Sequence, residues 1–246
     1  MNIHSTAIVS PNAKLGKNIT IGAFSIIHEN VQIDDNTIIE AYCELGVANQ
    51  YSEGQLLKIG ADSLIRSRST FYEGSVFGEQ LVTGHNVTVR EKTIAGKNLQ
   101  IGTLSDIQGH CHIGDYVRFH SNVHIGQQSK IGNFVWIFPY VVLTNDPHPP
   151  SNLLKGVTIE DYVAIATMTT ILPATRIGKG ALVGAHSLVN KNVEPEIVVA
   201  GSPAKFICLA EKIKLQDGTD RPAYPWITHF HRGYPEEVVR EWLGKI

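Results

Sequence analysis

Apolar residues recur along the chain at every sixth position, separated by residues that are mostly polar or small. The first run comprises Ile3, Val9, Leu15, Ile21, Ile27, Ile33, Ile39 and Leu45. A second run extends from Ile59 to Leu143 and a third from Ile159 to Pro195, giving thirty positions in all. A period of two indicates ordinary strands and a period of 3.6 indicates helices. A period of six indicates short strands that each turn a corner, so the pattern predicts an all-β solenoid of about ten three-strand coils.

Two gaps interrupt this period. From Leu45 to Ile59 is 14 residues, which predicts a loop at roughly 50–58. From Leu143 to Ile159 is 16 residues, or one repeat plus ten extra residues. Long departures from a regular solenoid are usually loops that bind ligands or bridge subunits, so both gaps are candidate functional elements.

The six-residue pattern ends near residue 200, which divides the chain into a solenoid at 1–200 and a C-terminal segment at 201–246. Apolar residues at helical spacing predict a helix within 203–215. Pro235, followed by Glu236 and Glu237, predicts the start of a final helix. These helices are expected to form a small cap over the open end of the solenoid, where strand edges would otherwise be exposed.

Composition narrows the class of protein. The 246 residues are 43% hydrophobic and 18% charged, with a formal net charge of −2, so no basic surface for nucleic acid or for an anionic membrane is expected. The three cysteines form no CxxC pair, and Cys43 and Cys111 fall at inward repeat positions, where small core residues are expected. No apolar run has the length of a membrane span. The sequence therefore predicts a soluble cytoplasmic protein.

Residues 18 apart in the repeat lie on top of each other at the strand spacing of about 4.8 Å. With the ten extra residues subtracted, this places a column of small side chains at the C-terminal end of the strands that begin at Ile165, Val183 and Gly201. The column comprises Ala166, Thr167, Gly184, Ala185, Ser202 and Pro203. A smooth groove with accessible backbone amides suits the long, thin pantetheine arm of coenzyme A.

The thirty-fold repeat resembles the hexapeptide acyltransferase superfamily. The resemblance implies a left-handed β-helix, a homotrimer, and acyl-coenzyme A as co-substrate, with no metal. The segment Gly201-Ser202-Pro203-Ala204-Lys205 is similar to the Gly-x-Pro-Ala-Lys/Arg element of this superfamily. In that element the basic residue lies near the coenzyme A phosphates, so the resemblance implies the same role for Lys205.

Polar residues occupy the same column farther towards the N-terminus, where a pantetheine arm of roughly 20 Å would deliver the acyl group. Acyl transfer needs a base, donors for the oxyanion and a held acceptor. The candidate catalytic residues are His120, His85 and, in the second gap, His148. The candidate acceptor-binding residues, with Arg66 and Arg68 as a pair that grips a diphosphate, are Asn86, Glu91, Asn122, Asn145, Arg66 and Arg68.

Three segments narrow the resemblance further. TGHNVTVRE at 83–91, FHSNVHIG at 119–126 and VVLTNDPHPP at 141–150 look like nucleotide-sugar N-acyltransferases, which act on amino-deoxy sugars. This resemblance implies direct attack of a sugar amine on the thioester, with a dTDP- or UDP-amino sugar as acceptor, in the synthesis of surface polysaccharide such as lipopolysaccharide.

Other interpretations remain open. The opening IHSTAIVSPNAKLG is similar to the acyl-carrier-protein-dependent UDP-GlcNAc O-acyltransferase of lipid A synthesis. That family places a catalytic histidine two residues before its Cys-His-hydrophobic-Gly element, whereas Gly109 precedes Cys111 here. A γ-type carbonic anhydrase, which uses this fold with zinc between subunits, and a non-catalytic scaffold are the remaining alternatives.

Overall fold

The computed structural model describes residues 1–244. These residues form a left-handed parallel β-helix, followed by a short C-terminal segment with a single α-helix. Each coil contributes one strand to each of three flat sheets, which form the faces of a triangular prism. The predicted fold class is confirmed.

The sheet that contains the first strand of the chain is called face A. It has 12 strands, and its last strand alone runs antiparallel. Its strands are Asn2–Ile3, Thr20–Ile21, Ile38–Ile39, Leu64–Ile65, Val82–Thr83, Gln100–Ile101, Arg118–Phe119, Trp136–Ile137, Ala164–Ile165, Leu182–Val183, Ile197–Ala200 and Lys205–Leu209.

Face B follows face A in each coil and has 10 strands. They are Ile8–Val9, Ile26–Ile27, Glu44–Val47, Thr70–Tyr72, Thr88–Val89, Asp106–Ile107, His124–Ile125, Val142–Leu143, Thr170–Ile171 and Leu188–Val189. Face C closes the coil with nine strands. They are Lys14–Leu15, Val31–Ile33, Leu57–Ile59, Val76–Phe77, Ile94–Ala95, His112–Ile113, Lys130–Ile131, Thr158–Ile159 and Arg176–Ile177.

The sixth-position residues point inward and form one continuous core along the axis of the prism. Ile65, Ile101 and Ile137 are typical members, each 1% exposed or less. The strands of adjacent coils pair at the expected 18-residue interval, as between Ile101 and Phe119. Cys43 and Cys111 belong to this core, and burial raises the pKa of each thiol to about 11, so both are kept as neutral thiols.

Both gaps leave the prism at the corner between faces B and C, which is called the BC corner. Ile131 pairs with Ile159, so the second gap inserts ten residues, as the spacing predicts. Ile33 pairs with Ile59, which gives an insertion of eight residues in the first gap. Because Leu57–Ile59 is already a strand, this first loop occupies 48–56 and not 50–58.

The C-terminal segment differs from the prediction. Residues 205–209 form the antiparallel strand of face A, and only Ala210–Lys212 follows as a 3-10 turn, so the helix expected within 203–215 is wrong. A second 3-10 turn spans Trp226–Thr228, and the final helix spans Glu236–Leu243 as expected. Residues 245 and 246 of the predicted cap lie outside the described residues, and the division into two domains at residue 200 stays a prediction.

The final helix does not cover the open end of the prism. Its Val238 and Trp242 are buried against Tyr116 and Phe134, which project from the corner between faces C and A. The antiparallel strand, not the helix, pairs with the last parallel strand of face A. The segment therefore turns back and packs along the side of the solenoid, where it forms one wall of a groove over face A.

Candidate active site

The small-residue column lies at the corner between faces A and B, here called the AB corner, which comprises the three residues after each parallel face A strand. Ala166 and Thr167 stand one rung before Gly184 and Ala185, because Ile165 pairs with Val183. Thr167 turns its hydroxyl to the carbonyl oxygen of Pro139 at 2.7 Å, so its methyl group remains to line the surface. This part of the predicted column is formed.

The last rung is shifted by two residues. Val183 pairs with Val199 and not with Gly201, because the final turn of the coil is two residues shorter than the period. Ala200 therefore takes the place expected for Ser202, and Ser202 and Pro203 lie in the turn that leads to the antiparallel strand. The column therefore still consists of small side chains at this rung. Lys205 pairs with Ala200 at the end of the column, where a charged phosphate could reach the lysine.

His85 lies on the AB corner within a polar cluster that the structure assembles. Its Nδ1 is 2.8 Å from the Ser67 hydroxyl and 3.8 Å from a carboxylate oxygen of Glu40. The same oxygen of Glu40 accepts the backbone N–H of Ser67 at 3.0 Å. Both neighbours lie on the side of Nδ1, so Nε2 is the ring nitrogen left for a ligand. Glu40 had not been identified from the sequence.

His120 lies two rungs away from His85 on the same corner. Its ring stacks on Phe138, with ring centroids 4.7 Å apart, and touches Trp136 at 5.8 Å. Burial lowers the pKa of His120 below its usual value, which favours the neutral ring at physiological pH. His120 is thus a half-buried imidazole that favours its neutral form, in which one ring nitrogen can accept a proton.

The arginine pair does not act as predicted. Arg66 donates to the carbonyl oxygen of Thr83, one rung towards the C-terminus. Arg68 lies over the ring of Tyr42, one rung towards the N-terminus, at 5.6 Å. The two guanidinium groups point in opposite directions along the prism, so the expectation that they grip one diphosphate together is corrected.

Asn86 and Asn122 lie on the AB corner with φ values of 55° and 59°. Asparagine tolerates this left-handed region better than most residues, so the turn itself gives both asparagines a conformational role. Both residues lie on the same corner as the small-residue column, farther towards the N-terminus, where the acceptor is predicted to bind.

Glu91 is not available to a substrate. It lies at the BC corner, is 3% exposed, and accepts hydrogen bonds from Arg90 and from Asn49 of the first loop. Burial raises the pKa of Glu91, but its hydrogen bonds and the charge of Arg90 outweigh this and lower it overall. The expectation that Glu91 contacts the acceptor is corrected, since its carboxylate holds the first loop in place.

Asn145 and His148 belong to the second loop, on the BC side of the prism. A Cβ at Gly126 would come within 3.3 Å of the Asn145 side chain, so this residue lies beside the corner that follows the His124 strand. Asp146 accepts the backbone N–H of His148 at 3.0 Å and that of Ser151 at 2.9 Å, which shapes the loop and leaves the His148 ring exposed.

Face B carries a histidine–carboxylate pair that the sequence reasoning missed. Nδ1 of His124 is 3.2 Å from Oδ2 of Asp106, on the preceding rung, and Gln108 also donates to this oxygen. Burial raises the pKa of Asp106, but these hydrogen bonds outweigh it and keep the carboxyl ionised. A carboxylate on Nδ1 holds that proton and leaves Nε2 as a base. The 18-residue interval between the two residues was the available signal.

The candidate residues thus fall on two corners of one prism, with face B between them. His85, His120 and the small column lie at the AB corner, whereas Asn145 and His148 lie on the BC side near His124. No three His, Cys, Asp or Glu side chains among residues 1–244 are grouped to hold a metal ion. Within the same residues, no helix has the length and apolarity that a membrane crossing needs.

Comparisons with known proteins agree with this architecture. A family model described as bacterial transferase hexapeptide (six repeats) matches residues 3–46. Over 221 residues the chain is 26% identical to the acyl-[acyl-carrier-protein]–UDP-N-acetylglucosamine O-acyltransferase of Sinorhizobium fredii (strain NBRC 101917 / NGR234), covering 89% of this chain and 75% of that protein. The match to the repeat family and the similarity to this enzyme support a place in the hexapeptide-repeat acyltransferase superfamily.

Two further similarities differ in how much of each chain they cover. The bifunctional protein GlmU of Acinetobacter baylyi (strain ATCC 33305 / BD413 / ADP1) is 29% identical over 199 residues, but the match covers 74% of this chain and 39% of that protein. The structure of Arabidopsis UDP-N-acetylglucosamine acyltransferase superimposes with a TM-score of 0.72 at 19% identity, covering 84% of this chain and 74% of that one. At this identity the superposition supports the fold alone.

Proposed function

We propose that this protein transfers an acyl group from a carrier thioester to the sugar of a nucleotide sugar. The observation that carries the proposal is the small-residue column at the AB corner, which ends at Lys205 and leads towards the neutral ring of His120. The similarity to enzymes named for acyl transfer to UDP-N-acetylglucosamine supports the same class of acceptor.

The names of the relatives favour a hydroxyl acceptor and an acyl carrier protein as donor. A hydroxyl must lose its proton as it attacks, so this reaction needs a general base. Gly109 occupies the position at which that family carries its histidine, but His124 and Asp106 lie on face B close to this position. The His124–Asp106 pair supplies the base that glycine cannot supply at position 109. We therefore propose O-acyl transfer as the first candidate reaction.

Transfer from acyl-coenzyme A to a sugar amine is the second candidate. An amine attacks a thioester with less help from a base, which agrees with glycine at position 109. The small side chains of the column suit an extended chain such as pantetheine, which coenzyme A and acyl carrier protein share. The donor and the acceptor atom are therefore separate questions for experiment.

A homotrimer gives a physical reason for the two separated corners. The second loop lies one full face of the prism away from the donor column, and His124 lies on the face between them. Packing of three prisms around a common axis would set the AB corner of one chain against the BC side of the next. We propose that the donor column of one chain and the Asp106–His124 pair of its neighbour form each site.

The test is a matrix of donors and acceptors. Acyl-coenzyme A and acyl-acyl carrier protein of several chain lengths are each supplied with UDP-N-acetylglucosamine and with UDP- and dTDP-amino sugars, and products are identified by mass spectrometry. An ester from the carrier protein supports the first candidate, whereas an amide from coenzyme A supports the second. No product from any combination contradicts the proposal, and an active monomer by light scattering contradicts the shared site.

A further inference from the structure

A groove lined almost entirely by aromatic rings lies between face A and the C-terminal segment. Face A contributes Trp136 and Phe138, and the segment contributes Tyr224, Trp226 and Phe230. The cavity at its centre has a volume of about 150 Å³, and Ala164 is the only aliphatic side chain that residues 1–244 contribute to its lining. A second depression, which His120 lines, shares Trp136 and Phe230 with the groove and reaches the AB corner.

The rings of this groove are held in place without a ligand. Trp136 donates its indole N–H to the Tyr234 hydroxyl at 2.8 Å. Edge-to-face contacts join Trp136 to Phe230 at 5.5 Å and to Trp226 at 6.2 Å. Since the rings are already fixed, a ligand that enters the groove would not have to order them, which lowers the entropic cost of binding.

The depression beside His120 is lined by Arg118 and Arg232, and neither forms an ion pair with a carboxylate of residues 1–244. Arg118 is 3% exposed; it donates hydrogen bonds to the carbonyl oxygens of Asn98, Val117 and Gly233 and to the Asn98 side-chain oxygen, and its guanidinium lies over the ring of Tyr234 at 4.7 Å. Arg232 is exposed and lies over the ring of Phe230. The buried guanidinium and the exposed one together give the depression a positive potential that attracts an anion.

The dimensions and the chemistry favour one kind of ligand. A space of about 150 Å³ matches a single six-membered ring such as benzene, and the larger double ring of a purine would extend beyond it. Flat aromatic walls suit a stacked base better than a flexible acyl chain, which would find only one aliphatic neighbour. Cations beside the ring site match a phosphorylated pyrimidine nucleoside.

His229 adds a preference among pyrimidines. Its Nε2 lies 2.8 Å from the carbonyl oxygen of Ala223, which can only accept, so this nitrogen carries the proton. The other ring nitrogen is then an acceptor at the wall of the groove. Uracil and thymine present an N3–H donor, whereas cytosine presents an acceptor at the same atom.

We propose that this groove binds the uridine or thymidine diphosphate portion of a nucleotide sugar, with the base among the rings and the phosphates beside Arg118 and Arg232. The inference rests on the proposed function and deepens it, because it gives the nucleotide a binding place on this chain, apart from the donor column. The sugar of a nucleotide bound in this way extends towards His120 and the end of the donor column.

The test measures binding without turnover. Quenching of tryptophan fluorescence and calorimetry are recorded with UMP, UDP, TMP, CMP and AMP on the full chain, since two of its three tryptophans line the groove. UMP, UDP and TMP are expected to bind more tightly than CMP and AMP. Arg232→Gln and Phe230→Leu are each expected to weaken UDP binding about tenfold. Arg221→Gln, an exposed arginine elsewhere in the segment, is the matched control and should bind UDP normally.

The outcomes separate this inference from the proposed function. Equal affinity for AMP, or no binding of UMP and UDP at millimolar concentration, overturns the groove even if acyl transfer to a nucleotide sugar is found. Unchanged UDP affinity in both variants overturns it as well. Selective UDP binding without any acyl transfer supports the groove and counts against the proposed function. Loss of uracil selectivity over cytosine in His229→Ala supports the assigned hydrogen bond, and its retention contradicts it.

Discussion

Replacement of His124 by glutamine is the perturbation that most directly tests the chemistry. Glutamine keeps much of the volume of the side chain but cannot accept a proton at neutral pH. A general base contributes roughly 10²- to 10⁴-fold to the rate. This corresponds to about 3 to 5.5 kcal/mol of activation free energy, at about 1.4 kcal/mol per tenfold change. His124→Gln is therefore expected to lower kcat/KM for a hydroxyl acceptor by at least about 100-fold.

The same substitution should hardly affect stability. The side chains of His124 and Asp106 are 41% and 34% exposed, and ion pairs with this exposure contribute about 1 kcal/mol or less. The loss of activity should therefore occur with an almost unchanged melting temperature. Because Asp106 stays ionised, Asp106→Asn should also lower turnover, by leaving the ring of His124 without its orienting partner.

The assay is release of the free carrier thiol, followed with a thiol reagent, under the donor and acceptor pair that gives product. His112→Gln provides a control, since His112 is an exposed histidine on face C, away from both corners. Turnover of a hydroxyl acceptor within threefold of the unmodified protein would refute the assignment of His124 as the base. A small loss with an amine acceptor is the result expected for the second candidate.

Three further predictions concern the donor column, the first loop and the C-terminal segment. Ala185→Trp should raise the KM for the acyl donor at least tenfold by blocking the column. Ala23→Trp, at the same corner position far towards the N-terminus, should leave this KM unchanged. Equal KM values for the two variants would mean that the donor binds elsewhere. Glu91→Gln should reduce the free energy of unfolding by about 1 to 3 kcal/mol at pH 7 without a change in KM, because it weakens charged hydrogen bonds to the first loop. The pKa of Glu91 is lowered from 4.5, so the stabilisation by its carboxylate is present above that pH and is lost as the pH falls below it. The denaturant curves of the unmodified protein and of Glu91→Gln should therefore converge in acid, and a difference in unfolding free energy that does not change with pH would contradict this. Trp242→Ala should cost about 3 to 5 kcal/mol, because this ring is 3% exposed, and should make the segment after residue 212 sensitive to protease while the solenoid persists; a protease-resistant segment would refute this packing.

The sequence determined the solenoid because every repeat specifies its own coil. An apolar residue at each sixth position must point inward, and residues 18 apart then pair whatever the rest of the chain does. This is why the ten-residue insertion before Ile159 and the small column at Ala166 and Gly184 could be predicted from spacing alone. For the same reason, the 18-residue interval between Asp106 and His124 predicts their contact. The contact was missed because the sequence contains eleven histidines and nothing in it singled out His124.

Tertiary structure decided what the repeat does not specify. The two-residue shift at Val199 depends on how the last coil closes, and the strand Lys205–Leu209 forms because an open sheet edge provides backbone partners that outweigh helical spacing. Side-chain directions, such as those of Arg66 and Arg68, depend on contacts with neighbouring rungs. The aromatic groove exists only because a segment about a hundred residues away in sequence packs beside Trp136, a long-range contact that no local pattern encodes.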